Sequence, residues 1–129
     1  MDQKIHVFII DDDLSVCQFL KIKLEKTDKY LVSHADSKAK GIRLVKSEKP
    51  DILILDIDLI ADDGGDVAQE LAENPETKAI PRLFFSSLIS PEEVSRLRGK
   101  IGKHTIVSKT SGWKELVRNI EAELSKKCF

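Results

Sequence analysis

Short apolar runs alternate with segments of helical periodicity along the whole chain of 129 residues. The apolar runs predict five strands, because they are rich in β-branched and aromatic residues and lack polar alternation. The five runs are Ile5–Ile10, Tyr30–Ala35, Ile52–Leu55, Ile80–Phe85 and Thr105–Val107. No low-complexity linker or internal repeat interrupts the alternation, so we expect residues 1–129 to form a single domain.

Apolar residues at helical spacing predict a helix after each strand. The first two segments are 14–26 and 37–48. The third includes residues 67–72, the fourth starts at residue 91, and the fifth is 113–124. Pro50 disfavours helical backbone at the residue before it and therefore ends the second helix. Ser90-Pro91-Glu92-Glu93 is a capping box with proline at the first helical position. Val94 and Leu97 are expected to face inward from this fourth helix.

Strands that alternate with helices predict a doubly wound α/β fold, which is a parallel sheet of five strands with helices on both faces. In open sheets of this kind, the functional site lies beyond the carboxyl ends of the strands. The residues at four of these ends are Asp11-Asp12-Asp13, Asp56, Ser86-Ser87 and Ser108-Lys109. We therefore expect these side chains to lie close together although they are far apart in sequence.

Composition narrows the class of protein. Apolar residues make up 41% of the chain and charged residues 33%, with a formal net charge of -1. These values are typical of a globular domain and argue against a disordered chain or a generic polyanion binder. Cys17 and Cys128 are far apart and form no C-x-x-C motif, which favours reduced intracellular thiols. No run suits a signal peptide or a membrane span, so we expect a cytoplasmic location.

Negative charge is concentrated at the third strand. Residues 51–66 contain six Asp and no Lys or Arg, so some of these carboxylates are expected to meet a cation from elsewhere in the fold. Asp11, Asp12 and Asp56 would repel one another at one sheet edge unless a hard divalent cation lay among them. Mg²⁺ suits such a site, because it prefers oxygen ligands and keeps several waters.

A lysine and a hydroxyl beside these carboxylates predict phosphoryl transfer, in which the protein positions groups and neutralises charge. Asp56 is the candidate nucleophile, because it lies at the end of the predicted central strand. Lys109 would pair with phosphoryl oxygens, and Ser86 would donate a hydrogen bond to another. A nucleotide site is not expected, since the chain has no glycine-rich phosphate loop.

The ordered set of an acidic pair, an acceptor Asp, a hydroxyl and a lysine resembles the receiver domain of two-component response regulators. The motifs "FIIDDDLS", "PDILILDI", "LFFSS" and "IVSK" carry the resemblance over nearly the whole chain. It implies a flavodoxin-like (βα)5 fold with strand order 2-1-3-4-5. It also implies that Asp11, Asp12 and Asp56 bind Mg²⁺ and that Asp58 gives its backbone carbonyl to the metal. The usual D-G step after the acceptor is met by Asp63-Gly64.

The resemblance also implies partners. A sensor histidine kinase or a histidine phosphotransfer protein would supply the phosphoryl group, and the chain would catalyse only its own phosphorylation and dephosphorylation. A downstream protein or a second copy would bind the face between the fourth and fifth helices, where Arg96, Arg98, Lys100 and Lys103 could attract an acidic partner. We expect a stand-alone receiver with no nucleic-acid-binding domain in this chain and no membrane partner.

Three positions depart from the family pattern. Ile106 stands three residues before the lysine, where the family normally has Tyr or Phe coupled to the hydroxyl on activation. Thr110 replaces the proline after the lysine, where the family bond is commonly cis. Because a cis bond to a non-proline residue costs about 2.5–4 kcal/mol, this loop is either strained or rebuilt as trans. Ile60 replaces a proline four residues after the acceptor.

Two alternatives to a switching receiver stay open. "LDIDLI" also resembles the D-x-D motif of haloacid dehalogenase-like phosphatases, with Asp56 as nucleophile and Asp58 as general acid. A receiver-like interaction module without a phosphorylation switch is the second alternative, and Ile106 and Thr110 motivate it.

Several chemically capable residues have simpler roles. Asp13 is expected to cap the first helix, and Asp62, Asp63 and Asp66 are expected to belong to the turn into the third helix. The three histidines lack ligand spacing. Cys17 and Trp113 fall on apolar helical stripes and are expected in the core.

Overall fold

The computed structural model describes residues 4–56, 71–101 and 104–127. The strands are β1 (Ile5–Ile10), β2 (Tyr30–Ala35), β3 (Ile52–Leu55), β4 (Arg82–Ser86), β5 (Lys100–Ile101) and β6 (His104–Ser108). The helices are α1 (Leu14–Glu25), α2 (Lys38–Glu48), α3 (Pro91–Arg96) and α4 (Trp113–Lys127), and a 3-10 turn covers Lys109–Ser111. Residues 71–73 are also helical and belong to the predicted third helix, most of which lies outside the described residues.

The strands form one sheet in the order β2-β1-β3-β4-β6-β5. The first five strands in this order are parallel, whereas β5 pairs antiparallel with β6. The predicted flavodoxin-like order 2-1-3-4-5 is therefore confirmed, with β6 as the predicted fifth strand. The edge strand β5 was not predicted, because two residues are too few for a recognisable pattern.

Apolar side chains cover both faces of the sheet. On one face, the strands pack against α1 and α4 through residues such as Leu20, Leu24, Leu116 and Ile120. On the other face, they pack against α2 and α3 and include Val45, Leu71 and Phe84. All four residues of β3 are buried, as expected for a central parallel strand.

The helix ends follow the sequence signals, but the position of one side chain, Leu97, differs from the prediction. Ser90 caps α3 in a complete capping box, and α2 ends at Glu48, followed by its C-cap Lys49 in the left-handed region directly before Pro50. The inward position predicted for Leu97 is wrong, because its side chain is 45% exposed. The reason is that α3 ends at Arg96 and that left-handed residues follow, with φ values of 58° at Arg98 and 75° at Gly99.

A close approach between α2 and β1 depends on Gly41. A Cβ atom at this position would lie 2.7 Å from Cδ1 of Ile10, which is itself buried in the sheet. Because a protein interior is closely packed and Ile is stiff at χ1, little adjustment is available to make room for that atom. The glycine therefore sets how near this helix lies to the sheet.

Side chains from α1 occupy the open edge of the sheet at β2. The Glu25 carboxylate accepts the backbone N–H of Val32 at 2.9 Å, and the Lys21 ammonium donates to the carbonyl of Val32 at 3.0 Å. The two side chains also pair with each other at 3.0 Å. An unpaired strand edge invites association with other strands, so this arrangement protects the edge while it fixes α1 to β2.

The edge contact makes a pH-dependent contribution to stability. The pKa of Glu25 lies below its ordinary value, chiefly because the Val32 N–H donates to the carboxylate and secondarily because Lys21 does. The contribution is therefore complete above the unfolded-state pKa and is lost as pH falls through the lower folded-state value. We expect Glu25→Gln to lower the melting temperature at pH 7 and the difference from wild type to shrink below about pH 4.

Thermal unfolding between pH 3 and 8 measures this effect, with Glu121→Gln as the charge-matched control. Glu121 pairs with Lys29 at 3.7 Å between two exposed side chains, so its replacement should have little effect. An equal loss for Glu25→Gln at every pH would contradict the assignment.

Candidate functional site

The carboxyl ends of β1 and β3 bring three aspartates together. The backbone N–H of Asp11 donates to Ala35 at 3.1 Å, and that of Asp56 donates to the carbonyl of Ile10 at 3.0 Å, so both positions continue the parallel ladder. Asp11 is 1% exposed and Asp56 4% exposed, whereas Asp12 is exposed. Carboxylate oxygens from the three residues lie within 4.8 Å of one another. The sequence predicted this convergence.

Lys109, which directly follows β6, supplies a cation to this cluster. Its Nζ lies 2.8 Å from Oδ2 of Asp11 and 3.5 Å from Oδ2 of Asp56. Burial by itself lowers the pKa of Lys109. The hydrogen bond to Asp11 and the charges of Asp11 and Asp56 outweigh this effect, so the pKa lies above its ordinary value. The side chain therefore carries its charge at neutral pH and offsets part of the repulsion between the carboxylates.

Asp13 serves the backbone rather than the cluster. Its carboxylate accepts the N–H groups of Ser15 at 3.0 Å and Val16 at 3.4 Å, which makes it the N-cap of α1, as predicted. Its own N–H donates to Oδ1 of Asp11 at 2.9 Å. The cap thus also orients one oxygen of the buried carboxylate.

Ser86 ends β4, the strand beside β3. It is fully buried and lies in register with Ser108 of β6. Its Oγ accepts the backbone N–H of Leu88 at 3.0 Å. Because a hydroxyl both accepts and donates, this contact leaves the O–H of Ser86 able to donate to an anion.

The peptide bond after Lys109 is trans, so the loop is rebuilt without a cis bond. No peptide bond among the described residues is cis, and residues 109–111 form a 3-10 turn. Ser108 supplies a contact that the sequence did not reveal: its Oγ accepts the N–H of Thr110 at 3.2 Å and lies 2.9 Å from Oγ1 of Thr110. A serine followed two residues later by a turn N–H is the only sequence signal for this contact.

Other residues considered from the sequence have structural roles. Nε2 of His6 lies 2.8 Å from Oγ of Ser33 and 3.4 Å from Glu48. Cys17 is buried, and burial, aided by the charges of Asp11 and Asp13, raises its pKa to about 12, so the thiol is unreactive at neutral pH. Trp113 packs against the core.

Several positions assigned a role from the sequence lie outside the described residues, and their assignments stay predictions. Two of them are Lys103 and Cys128, and the others follow the third strand. The positions after the third strand are Asp58, Ile60, Asp62, Asp63, Gly64 and Asp66.

Comparison with known families matches residues 7–121 to the response regulator receiver domain. The chain belongs to this family. It is therefore a receiver domain of the two-component type and not a member of the haloacid dehalogenase-like phosphatase family. The receiver resembles PilH of Pseudomonas aeruginosa, with 28% identity over 92% of this chain and 97% of PilH.

The probable transcriptional regulator ycf27 of Guillardia theta is also 28% identical, over 98% of this chain and 48% of that protein. The receiver thus spans about half the length of this curated relative.

Solved structures support the fold. A putative response regulator from Chloroflexus aurantiacus superposes with a TM-score of 0.77 at 24% identity, covering 95% of this chain and 99% of that structure. The chemotaxis protein CheY4 of Vibrio cholerae gives a TM-score of 0.76 at 20% identity, covering 94% and 99%. In the part of the receiver that the structure describes, no helix is both long and apolar enough to cross a bilayer.

The crowding of carboxylates should limit the stability of the protein without divalent cations. Asp12 is exposed and repels Asp11 and Asp56, so we expect Asp12→Asn to raise the free energy of unfolding by about 0.5 kcal/mol. Thermal and urea unfolding in a chelator would measure the gain.

Asp13→Asn is the matched control, because it removes the same charge at the neighbouring position and because Asn caps a helix as well as Asp does. Equal stabilisation by both substitutions would show that net charge, rather than crowding in the cluster, is responsible.

Proposed function

We propose that this receiver accepts a phosphoryl group on Asp56 in a Mg²⁺-dependent reaction that it catalyses itself. The observation that carries the proposal is the cluster at the sheet edge. Three carboxylates lie within 4.8 Å of one another, and the Lys109 ammonium contacts two of them. The reaction is a stoichiometric modification of the protein rather than turnover of a substrate.

The donor set fits Mg²⁺, because it consists of carboxylate oxygens and is open to solvent at Asp12. Asp11, Asp12 and Asp56 would hold the ion through side chains, and family resemblance adds the backbone carbonyl of Asp58. Bound Mg²⁺ would supply positive charge next to the phosphoryl oxygens.

The residues of the chain have separate roles in the transfer. A carboxylate oxygen of Asp56 forms the new bond to phosphorus as the bond to the donor atom breaks, and the donor atom leaves with that electron pair. Lys109 pairs with a phosphoryl oxygen and balances its charge, and the Ser86 hydroxyl donates a hydrogen bond to another. Hydrolysis by water later returns Asp56 to its free form.

Acetyl phosphate provides a direct test. With Mg²⁺, we expect the intact mass of the wild type to increase by one phosphoryl group, and Asp56→Asn to show no increase. Chelation of Mg²⁺ or Asp12→Asn should slow the reaction strongly, while Asp13→Asn should react like wild type. No labelling of the wild type would contradict the proposal and favour the alternative of an interaction module without a switch. Equal labelling of wild type and Asp56→Asn would also contradict it, because the acceptor would then be another residue.

The proposed phosphoryl donor is a histidine kinase or a histidine phosphotransfer protein, in keeping with the receiver family. The outer surface of α1 suits such a partner, since Leu14, Phe19 and Ile22 are 46%, 49% and 63% exposed. Beside them lies an apolar groove of about 210 Å³ between α1 and the start of α4, with Phe19 and Trp113 on its walls and Lys109 among its lining residues. A protein docked there would lie next to Asp56. We call Leu14, Phe19 and Ile22 the α1 patch.

The α1 patch can be separated from the chemistry by comparing donors. We expect Phe19→Ala to slow phosphoryl transfer from phosphorylated histidine phosphotransfer proteins about tenfold or more, as loss of an aromatic anchor does at interfaces. Its rate with acetyl phosphate should stay that of wild type, because a small donor needs no docking surface.

Leu31→Ala is the control for the α1 patch, since Leu31 is also 49% exposed but lies on the edge strand β2. Equal slowing with both donors would contradict a docking role for Phe19.

We place the output surface on the face formed by α3, β6 and α4, for binding of a downstream protein or a second copy. A groove of about 360 Å³ opens here between Val94 of α3 and Asn119 of α4, with Ile106 among its lining residues. Arg96 and Arg98 lie nearby and favour an acidic partner. The proposal includes a cytoplasmic location, which the two lone cysteines favour.

A further inference from the structure

The position of the Lys109 side chain depends on the short loop that follows β6. Its Nζ must reach Asp11 and Asp56, which end strands on the far side of β4 from β6. The peptide bond after Lys109 is trans, so the loop takes its shape without the cis bond common in the family. Another interaction has to select the backbone conformation that sends the side chain toward the carboxylates.

Ser108 makes that interaction. It is fully buried at the end of β6 and lies in register with Ser86 of β4, so its backbone is held by the sheet. Its Oγ accepts the N–H of Thr110 and contacts the Thr110 hydroxyl, at 3.2 and 2.9 Å. The two residues that flank Lys109 are thus tied together, and the turn leads through Gly112 at φ 91° into α4.

We propose that Ser108 is a positioning residue for phosphoryl transfer, which acts by holding the loop that aims Lys109 at Asp11 and Asp56. The inference rests on the proposed function of Asp56 and gives a positioning role to a serine that the sequence placed only at a strand end. Ser108 itself touches neither the carboxylates nor, in the proposed reaction, the phosphoryl group.

The contribution of Ser108 to stability should be small compared with its contribution to rate. Thr110 is exposed, so water can replace Oγ as the acceptor of its N–H when the hydroxyl is removed. The loop then loses its preferred conformation, and misplacement of a charged group by about 1 Å slows a reaction as much as about a hundredfold. A positioning role therefore predicts slow chemistry in a protein that remains folded.

Four variants test this inference: Ser108→Ala, Ser108→Thr, Thr110→Val and Ser87→Ala. Ser108→Ala removes the acceptor and should lower the maximal rate with acetyl phosphate about tenfold or more. Ser108→Thr keeps a hydroxyl on a strand that tolerates β-branching, so it should restore most of the rate. Thr110→Val keeps the N–H but lacks the hydroxyl and should have the smaller effect. Ser87→Ala, at an exposed strand-end serine, should react like wild type.

A second measurement separates positioning from general damage. Trp113 is the single tryptophan of the chain, and it shares the groove beside α1 with Lys109, so its fluorescence can report Mg²⁺ binding. We expect Ser108→Ala to retain nearly the Mg²⁺ affinity and melting temperature of wild type while its phosphorylation rate falls. A parallel loss of rate, affinity and melting temperature would overturn the inference, as would a Ser108→Thr variant no faster than Ser108→Ala.

Crystal structures of wild type and Ser108→Ala without acetyl phosphate keep the inference distinct from the proposed function. If wild type is not phosphorylated, the proposed function fails, yet the positions of Lys109 in the two structures still decide the role of Ser108. A Lys109 ammonium that stays within hydrogen-bond distance of Asp11 in Ser108→Ala would overturn the inference. A displaced ammonium would support it.

Discussion

The contacts of Lys109 with two buried carboxylates are the interaction on which the rest of this structure depends. Removing a carboxylate from water costs several kcal/mol unless a partner and hydrogen bonds compensate, and Asp11 and Asp56 are both almost fully buried. Lys109 reaches them from β6, although β4 lies between β6 and β3. The charges are therefore compensated only when the sheet has formed in its native order, so folding and assembly of the site are one event.

The stability that supports this site comes from elsewhere in the molecule. The sheet is covered by an apolar layer on each face, and β3, which leads into Asp56, is buried along its whole length. Burial of apolar surface of this extent is the main favourable contribution to folding. Clustered carboxylates at the sheet edge work against it, as expected where a functional site is maintained at some cost to stability.

Much of this arrangement could be predicted from the sequence, because it follows from patterns that extend over several residues. The run Ile52–Leu55 reads as a buried parallel strand, and the carboxyl ends of such strands meet at one edge, which brings Asp56 near Asp11. The rest depends on single residues or on tertiary contacts. An arginine does not predict a left-handed backbone conformation, which Arg98 adopts. The motif that ends at Lys109 does not predict the hydrogen bond from the Thr110 N–H to Ser108.

Under the proposed function, the output face would have to respond to phosphorylation without the aromatic residue usual in the family. Ile106 is buried in the core layer beside Phe84 and has no ring to reorient. Ser86 has a different connection, because its Oγ holds the N–H of Leu88 in the segment that leads to α3. If Oγ of Ser86 has to move toward a phosphoryl group on Asp56 in order to donate its O–H, this N–H loses its acceptor.

The hydrogen bond from the Leu88 N–H to Ser86 contributes only a small free energy. One hydrogen bond in an exposed segment contributes about 1 kcal/mol, which changes an equilibrium about fivefold. A shift from mostly inactive to mostly active requires about 5.5 kcal/mol of differential binding, far more than this bond supplies. Under the proposed function, a shift of the output surface formed by α3, β6 and α4 would therefore need contributions besides this hydrogen bond.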